Sequence, residues 1–202
     1  SEIARARRES QEVYEMALQL GRSLNLHETA RTLEGSLKKL VGFETLVLSL
    51  KYGERIVPKF VSGIGYSALF AMEMPLGCGI SGLVAGTGKS VLNGAAATDL
   101  AFAPESAGLR LHSALSVALE GQRDTVGVLT LYRSDEQSFH KEDLCILLGI
   151  RAKLAAAVEN AKEYERTRDN ASTDYITGLP NSRTLFKRLK NEVSRCVRSG
   201  ES

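Results

Sequence analysis

The residues best suited to chemistry are a glycine-rich run, three cysteines and three histidines. Gly77-Cys78-Gly79-Ile80-Ser81-Gly82 satisfies Gly-x-Gly-x-x-Gly, the spacing by which a dinucleotide-binding turn brings backbone N–H groups onto a pyrophosphate. Gly86-Thr87-Gly88-Lys89-Ser90 approaches a phosphate loop, in which glycines let the backbone cradle phosphates and a lysine reaches the outer ones. Neither has its context. No long parallel strand precedes the first, and Asp99, about 20 residues on, falls in a loop rather than at the end of a second strand. The second has Leu83 where a phosphate loop needs glycine. These glycines are expected to form tight turns at the rim of a pocket and to cap a short helix.

Cys78, Cys145 and Cys196 are odd in number, widely spaced and free of any Cys-x-x-Cys pair, which points to free thiols in a reducing compartment. A thiolate at Cys78 would be a nucleophile if a second cysteine could resolve it. Cys145 falls on a C-terminal helix and Cys196 in the tail, so a small buried thiol is the preferred expectation. His27, His112 and His140 occur singly, and no paired metal site is expected. His112 opens a strand that would face a pocket.

The elements that must position these residues follow from periodicity. Apolar residues at three- and four-residue spacing predict an amphipathic helix over 2–22 and a second over 26–41, with Ala30, Leu33, Leu37 and Leu40 on its apolar face and Gly42 as a C-cap glycine. Leu46, Leu48 and Leu50 alternate with Thr45, Val47 and Ser49, predicting a strand over 43–51 that turns through Tyr52-Gly53-Glu54 into a second over 55–61. Short strands over 72–76 and 90–92 flank a helix over 79–87. Residues 93–111 read as irregular, with a short helix near 104–109. A hairpin pairs 113–119 with 125–132, and a long helix runs from Lys141 past Arg166.

The 202 residues suit one ordinary domain with helical extensions, and 43% hydrophobic with 25% charged residues lies in the globular range. A net charge of +2 gives no support for nucleic-acid or membrane-surface binding. No run of 18 apolar residues occurs, nor an apolar signal-peptide core at the start. A cytoplasmic location is expected, compatible with a membrane anchor upstream of Ser1.

The order helix, helix, hairpin, mixed crossover, hairpin, helix is α+β. Within it, Pro75-Leu76-Gly77-Cys78-Gly79-Ile80-Ser81-Gly82-Leu83-Val84-Ala85-Gly86-Thr87-Gly88-Lys89-Ser90-Val91-Leu92 is similar to the loop and helix of the GAF family, Gly-x-Gly-Ile-x-Gly-x-Val-Ala-x-Thr-Gly-Lys-x-Val. Leu111 to Leu119 with Val126 to Leu131 resembles that family's central hairpin, and Phe139-His140-Lys141-Glu142-Asp143-Leu144 the start of its last helix. The resemblance implies a GAF-like six-stranded antiparallel sheet with helices on both sides. It also implies a small-molecule pocket between sheet and crossover, with Phe43, Leu76, Cys78, Phe102, Leu109, His112 and Ser113 as candidate lining. Bilin-binding members attach pigment through a cysteine beside a histidine, and no such pair occurs here. Other members are free methionine sulfoxide reductases with resolving cysteines, which makes that activity the enzymatic alternative.

Near the C-terminal end, Asp174-Tyr175-Ile176-Thr177-Gly178-Leu179-Pro180-Asn181, followed by a basic helix with Leu185, Phe186 and Leu189, resembles the entry to a GGDEF (diguanylate cyclase) domain. The usual motif is Asp-x-Leu-Thr-Gly-Leu-x-Asn-Arg, so Ile176 and Ser182 depart from it. The Gly-Gly-Asp-Glu-Phe signature does not occur in these residues, so a larger parent protein is expected and no catalytic residue, metal or cofactor is expected in this stretch. The resulting division is an N-terminal helix over 1–22, a GAF sensor domain over 23–165, a linker over 166–173 and the start of a GGDEF domain over 174–202. In the parent, the resemblance implies paired GGDEF domains that condense two GTP molecules into cyclic di-GMP with Mg2+. The GAF unit would be a homodimer that sets their geometry through a linker helix carrying Leu147, Leu154, Val158 and Ala161. A ligand-free dimerisation module is the alternative.

Overall fold

The computed structural model describes residues 11, 13–15, 17, 18, 25–106 and 108–170. The chain divides into two compact units, Ser1–Ala161 and Lys162–Ser202. The expected GGDEF entry, from Asp174 on, lies outside the described residues, as does most of the expected helix over 2–22, of which Gln11, Val13, Tyr14, Glu15, Ala17 and Leu18 are helical.

Three strands rich in leucine and valine form the middle of the sheet: β1 (Thr45–Tyr52), β5 (Ser113–Glu120) and β6 (Thr125–Arg133). With β2 (Arg55–Gly63), β3 (Met74–Pro75) and β4 (Val91–Ala95), the order across the sheet is β3-β2-β1-β6-β5-β4, with each pair antiparallel. Both faces of the central strands are covered, so their alternating side chains sort into two cores rather than into core and solvent. Register makes this concrete. Phe60, Leu48, Leu129 and Val117 form one row across four strands and belong to one core, while Val61 and Val47, opposite Thr130 and Ser116, form a row on the other face.

The first core is closed by α1 (Leu26–Leu40) and α5 (Lys141–Asn170). Helix α1 starts at Asn25, whose side chain accepts the His27 N–H, and buries Ala30, Leu33 and Leu37. Gly42 does not cap it. Val41 ends the helix in extended backbone, with its N–H on Leu37 O at 2.7 Å, because its side chain is fully buried. Helix α5 buries Leu147, Ile150, Leu154, Ala155 and Val158 in this core, and Ala161 is also buried. That corrects the expectation of a seam between two chains at Leu147, Leu154, Val158 and Ala161. Their burial is satisfied within one chain.

The opposite face is closed by the crossover, which contains α2 (Tyr66–Phe70), α3 (Gly79–Thr87) and α4 (Ala97–Leu100). Helix α2 was not expected. The short helix expected near 104–109 is at 97–100 instead. Glu105 at φ 56° and Gly108 at φ 95° occupy left-handed backbone that a right-handed helix cannot contain. Strand β3 is shorter than the expected 72–76, and β4 extends past Leu92 to Ala95.

Candidate functional site

Polar residues at buried positions of central strands need partners, and on the crossover face they share one. Ser116 and Thr130 face inward between alanines and valines, with their hydroxyl oxygens 2.9 Å apart. Thr130 meets the Ser81 hydroxyl at 2.8 Å, and Ser81 donates to Asp99 Oδ2 at 2.6 Å. Tyr132 donates its phenol to the same Asp99 oxygen at 2.7 Å. Asp99 and Tyr132 are both 0% exposed.

The carboxylate sits on the N-terminal end of α3. Asp99 Oδ1 accepts the backbone N–H groups of Ile80 at 2.6 Å and Ser81 at 3.1 Å, donors that an isolated helix leaves unpaired. The helix dipole favours negative charge there, so burial of the carboxylate is offset by charge-assisted bonds and a favourable field. Burial first, and the Asp99 charge beside it second, push the Tyr132 phenol well above its ordinary value, which keeps it protonated as a donor.

The glycine-rich run makes this approach possible. Gly79 has φ +59°, and a Cβ there would lie 2.4 Å from Asp99 Oδ1; at Gly82 it would lie 2.4 Å from Pro75 O. Both phosphate-binding possibilities are thereby closed. Of the N–H groups in Gly-x-Gly-x-x-Gly, those of Ile80 and Ser81 are taken by Asp99, that of Gly77 by Gly82 O, that of Cys78 by Pro75 O and that of Gly82 by Met74 Sδ. Gly86-Thr87-Gly88-Lys89-Ser90 lies at the C-terminal end of α3, where left-handed Gly88 returns its N–H to Val84 O at 2.9 Å. Carbonyls and negative dipole at that end repel a phosphate.

The seven candidate lining residues do not converge. Leu76, Cys78, Phe102 and Leu109 pack half-buried against the crossover-side core. Phe43 packs against the core on the opposite face, so the sheet stands between it and the others. His112 is exposed, with Nδ1 2.6 Å from Ser134 O. Ser113 is buried and donates to Asn93 Oδ1 at 2.9 Å. Sequence reasoning does not single out Asp99, Ser81 or Tyr132, because Asp99 reads as a loop residue. The available signal was Ser116 and Thr130, hydroxyls at inward positions of central strands. Cys78 precedes α3 on one face and Cys145 lies exposed on α5 on the other, so they cannot pair across the sheet within one chain.

A second polar group holds the start of α5. Arg133, the last residue of β6, donates to Gly42 O and Ser138 O, lies 3.5 Å from Asp143, and stacks its guanidinium 4.2 Å from the Phe139 ring centroid. Asp143 accepts the His140 N–H at 2.9 Å, capping the helix. Farther along, Glu159 accepts the Gln122 N–H at 3.0 Å and Arg151 pairs with Glu120 at 3.7 Å, tying α5 to the β5–β6 hairpin. Among the described residues no cluster of three or more His, Cys, Asp or Glu could hold a metal ion, and no helix is long and apolar enough to cross a membrane.

No family model matches the sequence, and no curated protein sequence matches it. Solved structures do. The GAF domain of an Acinetobacter phosphoenolpyruvate-protein phosphotransferase superposes with a TM-score of 0.65 at 18% identity, covering 76% of this chain and 93% of that one. The GAF domain of a Bacillus halodurans two-component sensor histidine kinase gives 0.60 at 22%, covering 71% and 99%. A free methionine-R-sulfoxide reductase from Neisseria meningitidis, solved with its substrate, gives 0.61 at 16%, covering 75% and 89%. At these identities the likeness establishes the fold alone, and that fold is the one GAF domains adopt.

Proposed function

We propose that this chain is the regulatory GAF module of a signalling protein, and that its output element is α5. The observation that carries this is α5 itself: bolted to the sheet at Arg133, Arg151 and Glu159, it continues as one helix to Asn170, just before the Asp174-to-Asn181 motif. A helix fixed to a sensor sheet at one end and joined to a second domain at the other can bias that domain between two arrangements. The Asp174 motif supports a GGDEF domain as the recipient, so that the module controls cyclic di-GMP synthesis from GTP and Mg2+ in the parent. The same fold is found in the GAF domains of a two-component sensor histidine kinase and of a phosphoenolpyruvate-protein phosphotransferase, which accords with a regulatory role.

The module works as a homodimer. The support is outward-facing apolar surface: Tyr14, Leu18 and Leu148 are 64%, 50% and 36% exposed, and Val13 reaches within 3.0 Å of the Cβ position at Gly149 on α5. The reductase alternative is disfavoured by the placement of Cys78 and Cys145 on opposite faces. The decisive experiment is GTP turnover by the parent protein carrying Arg133→Ala. Altered cyclic di-GMP output with an intact cyclase domain supports control through α5. Output identical to the unsubstituted protein in a folded variant refutes it.

A further inference from the structure

Asn93 has an unusual position. It sits in a bulge of the edge strand β4, where the register with β5 shifts between Val91 and Gly94, at φ 56°. Left-handed backbone is costly for most residues and least so for asparagine among those with a Cβ. Here it aims the carboxamide away from the sheet at the segment leading into α5. Asn93 Nδ2 donates to Phe139 O at 2.7 Å, and Asn93 Oδ1 accepts the Phe139 N–H at 2.9 Å. The side chain thus pairs with one peptide residue as a neighbouring strand would. Ser113 on β5 donates to the same Oδ1 at 2.9 Å and fixes the amide plane. The Phe139 ring, 2% exposed, is held from the other side by Arg133.

We infer that Asn93 is the coupling residue between the crossover and the output helix, a side-chain clamp that makes the first turn of α5 follow β4. Strand β4 directly follows α3, and the N-terminal end of α3 is held by Asp99. A change at the Asp99 network therefore moves α3 and β4, and the clamp passes the displacement to Phe139, two residues before α5 begins. Ordinary packing alone would hold Phe139 in place but would not bind its peptide to β4. The clamp deepens the assignment of α5 as output element and rests on it, yet it can be tested separately.

The test is amide hydrogen exchange on the whole chain, read at residues 139–145 and at β1 and β6 as reference. Asn93→Gly removes the carboxamide and relieves the left-handed backbone. Asn93→Asp keeps the acceptors for Phe139 N–H and Ser113 but loses the donor to Phe139 O. Exchange at 139–145 is expected to rise about tenfold in Asn93→Gly and less in Asn93→Asp, with the reference strands unchanged. A second step perturbs the crossover mildly with Ser81→Ala. That substitution should raise exchange at 139–145 when Asn93 is present and add nothing in the Asn93→Gly background. Unchanged exchange at 139–145 in Asn93→Gly, a uniform rise across the sheet, or an equal Ser81→Ala effect in both backgrounds overturns the clamp. None of these readouts depends on dimerisation or on a cyclase domain, so the clamp can fail while the regulatory role stands, and the reverse.

Discussion

Asp99 is the residue on which the crossover face turns, because one buried carboxylate serves the helix dipole, two backbone donors, a serine and a tyrosine. Its removal leaves the Ile80 and Ser81 N–H groups and the Tyr132 phenol without an acceptor in a region closed to water. Asp99→Ala should therefore cost about 3 kcal/mol or more, read as a fall in the urea midpoint at unchanged slope. Tyr132→Phe leaves Asp99 its other donors and should cost about 1–2 kcal/mol, or a thermal midpoint about 2–8 °C lower. The pH dependence has a definite sign. The folded phenol is raised above its unfolded value of 10.0, so its contribution is complete below that pH and is lost as pH rises through the folded value. Stability of the unsubstituted chain should fall along the alkaline limb, and Tyr132→Phe should flatten that fall; parallel limbs would show that another group is responsible. Little of this was legible in the sequence. Ser116 and Thr130 alternate correctly with apolar neighbours, but a hydroxyl on an inward strand position does not name its partner. Asp99 reads as a loop residue because Ala97–Leu100 is too short a helix for periodicity to register.

Among the elements, the strands, the long helices and α3, expected over 79–87 and found at Gly79–Thr87, were legible and the shorter pieces of the crossover were not, for one physical reason. Strands β1, β5 and β6 and helices α1 and α5 each present enough residues for a period of 2 or 3.6 to repeat. The crossover elements are held by tertiary bonds instead: α2 spans five residues, β3 two and α4 four. Helix α5 shows what periodicity leaves open. Its apolar stripe at Leu147, Leu154 and Val158 is visible in the sequence, but a stripe does not say whether it faces a sheet or another chain. The structure puts Leu154 at 0% and Leu148 at 36% exposure, which separates the two. Leu154→Glu should unfold the domain, costing several kcal/mol by burying an unpaired charge, and circular dichroism should show loss of the folded transition. Leu148→Glu should leave the transition in place. A Leu154→Glu chain that stays folded and becomes monomeric would restore the seam to the inner face of α5.

At the scale of the whole molecule, two cores lie on opposite faces of one sheet, and under the proposed regulatory role they would give separate places to receive a signal and to send one. In that reading the sending side would be the helical core, whose α5 is fastened to strand ends and a hairpin. The receiving side would be the crossover, where the buried hydroxyls, phenol and carboxylate satisfy one another. A ligand entering there must displace these bonds or use the half-buried apolar rim of Leu76, Cys78, Phe102 and Leu109. Because every displaced polar bond subtracts from affinity, apolar or weakly polar compounds should bind better than charged nucleotides. Thermal unfolding against cyclic nucleotides, guanine nucleotides, amino acids, 2-oxoacids and haem, combined with sedimentation, checks this. A compound at about 100 times its Kd adds about 2.7 kcal/mol, or about 5–10 °C at this domain size. A rise with one compound, lost on Leu76→Glu, identifies a ligand-gated sensor. A strong rise with a cyclic nucleotide would mean that the Asp99 network opens. With no rise across the panel and a dimer that Leu148→Glu converts to monomer, the module is a ligand-free dimeriser and its signal must enter through the N-terminal helix, whose Val13 lies against α5 at Gly149 and whose Tyr14 and Leu18 are exposed.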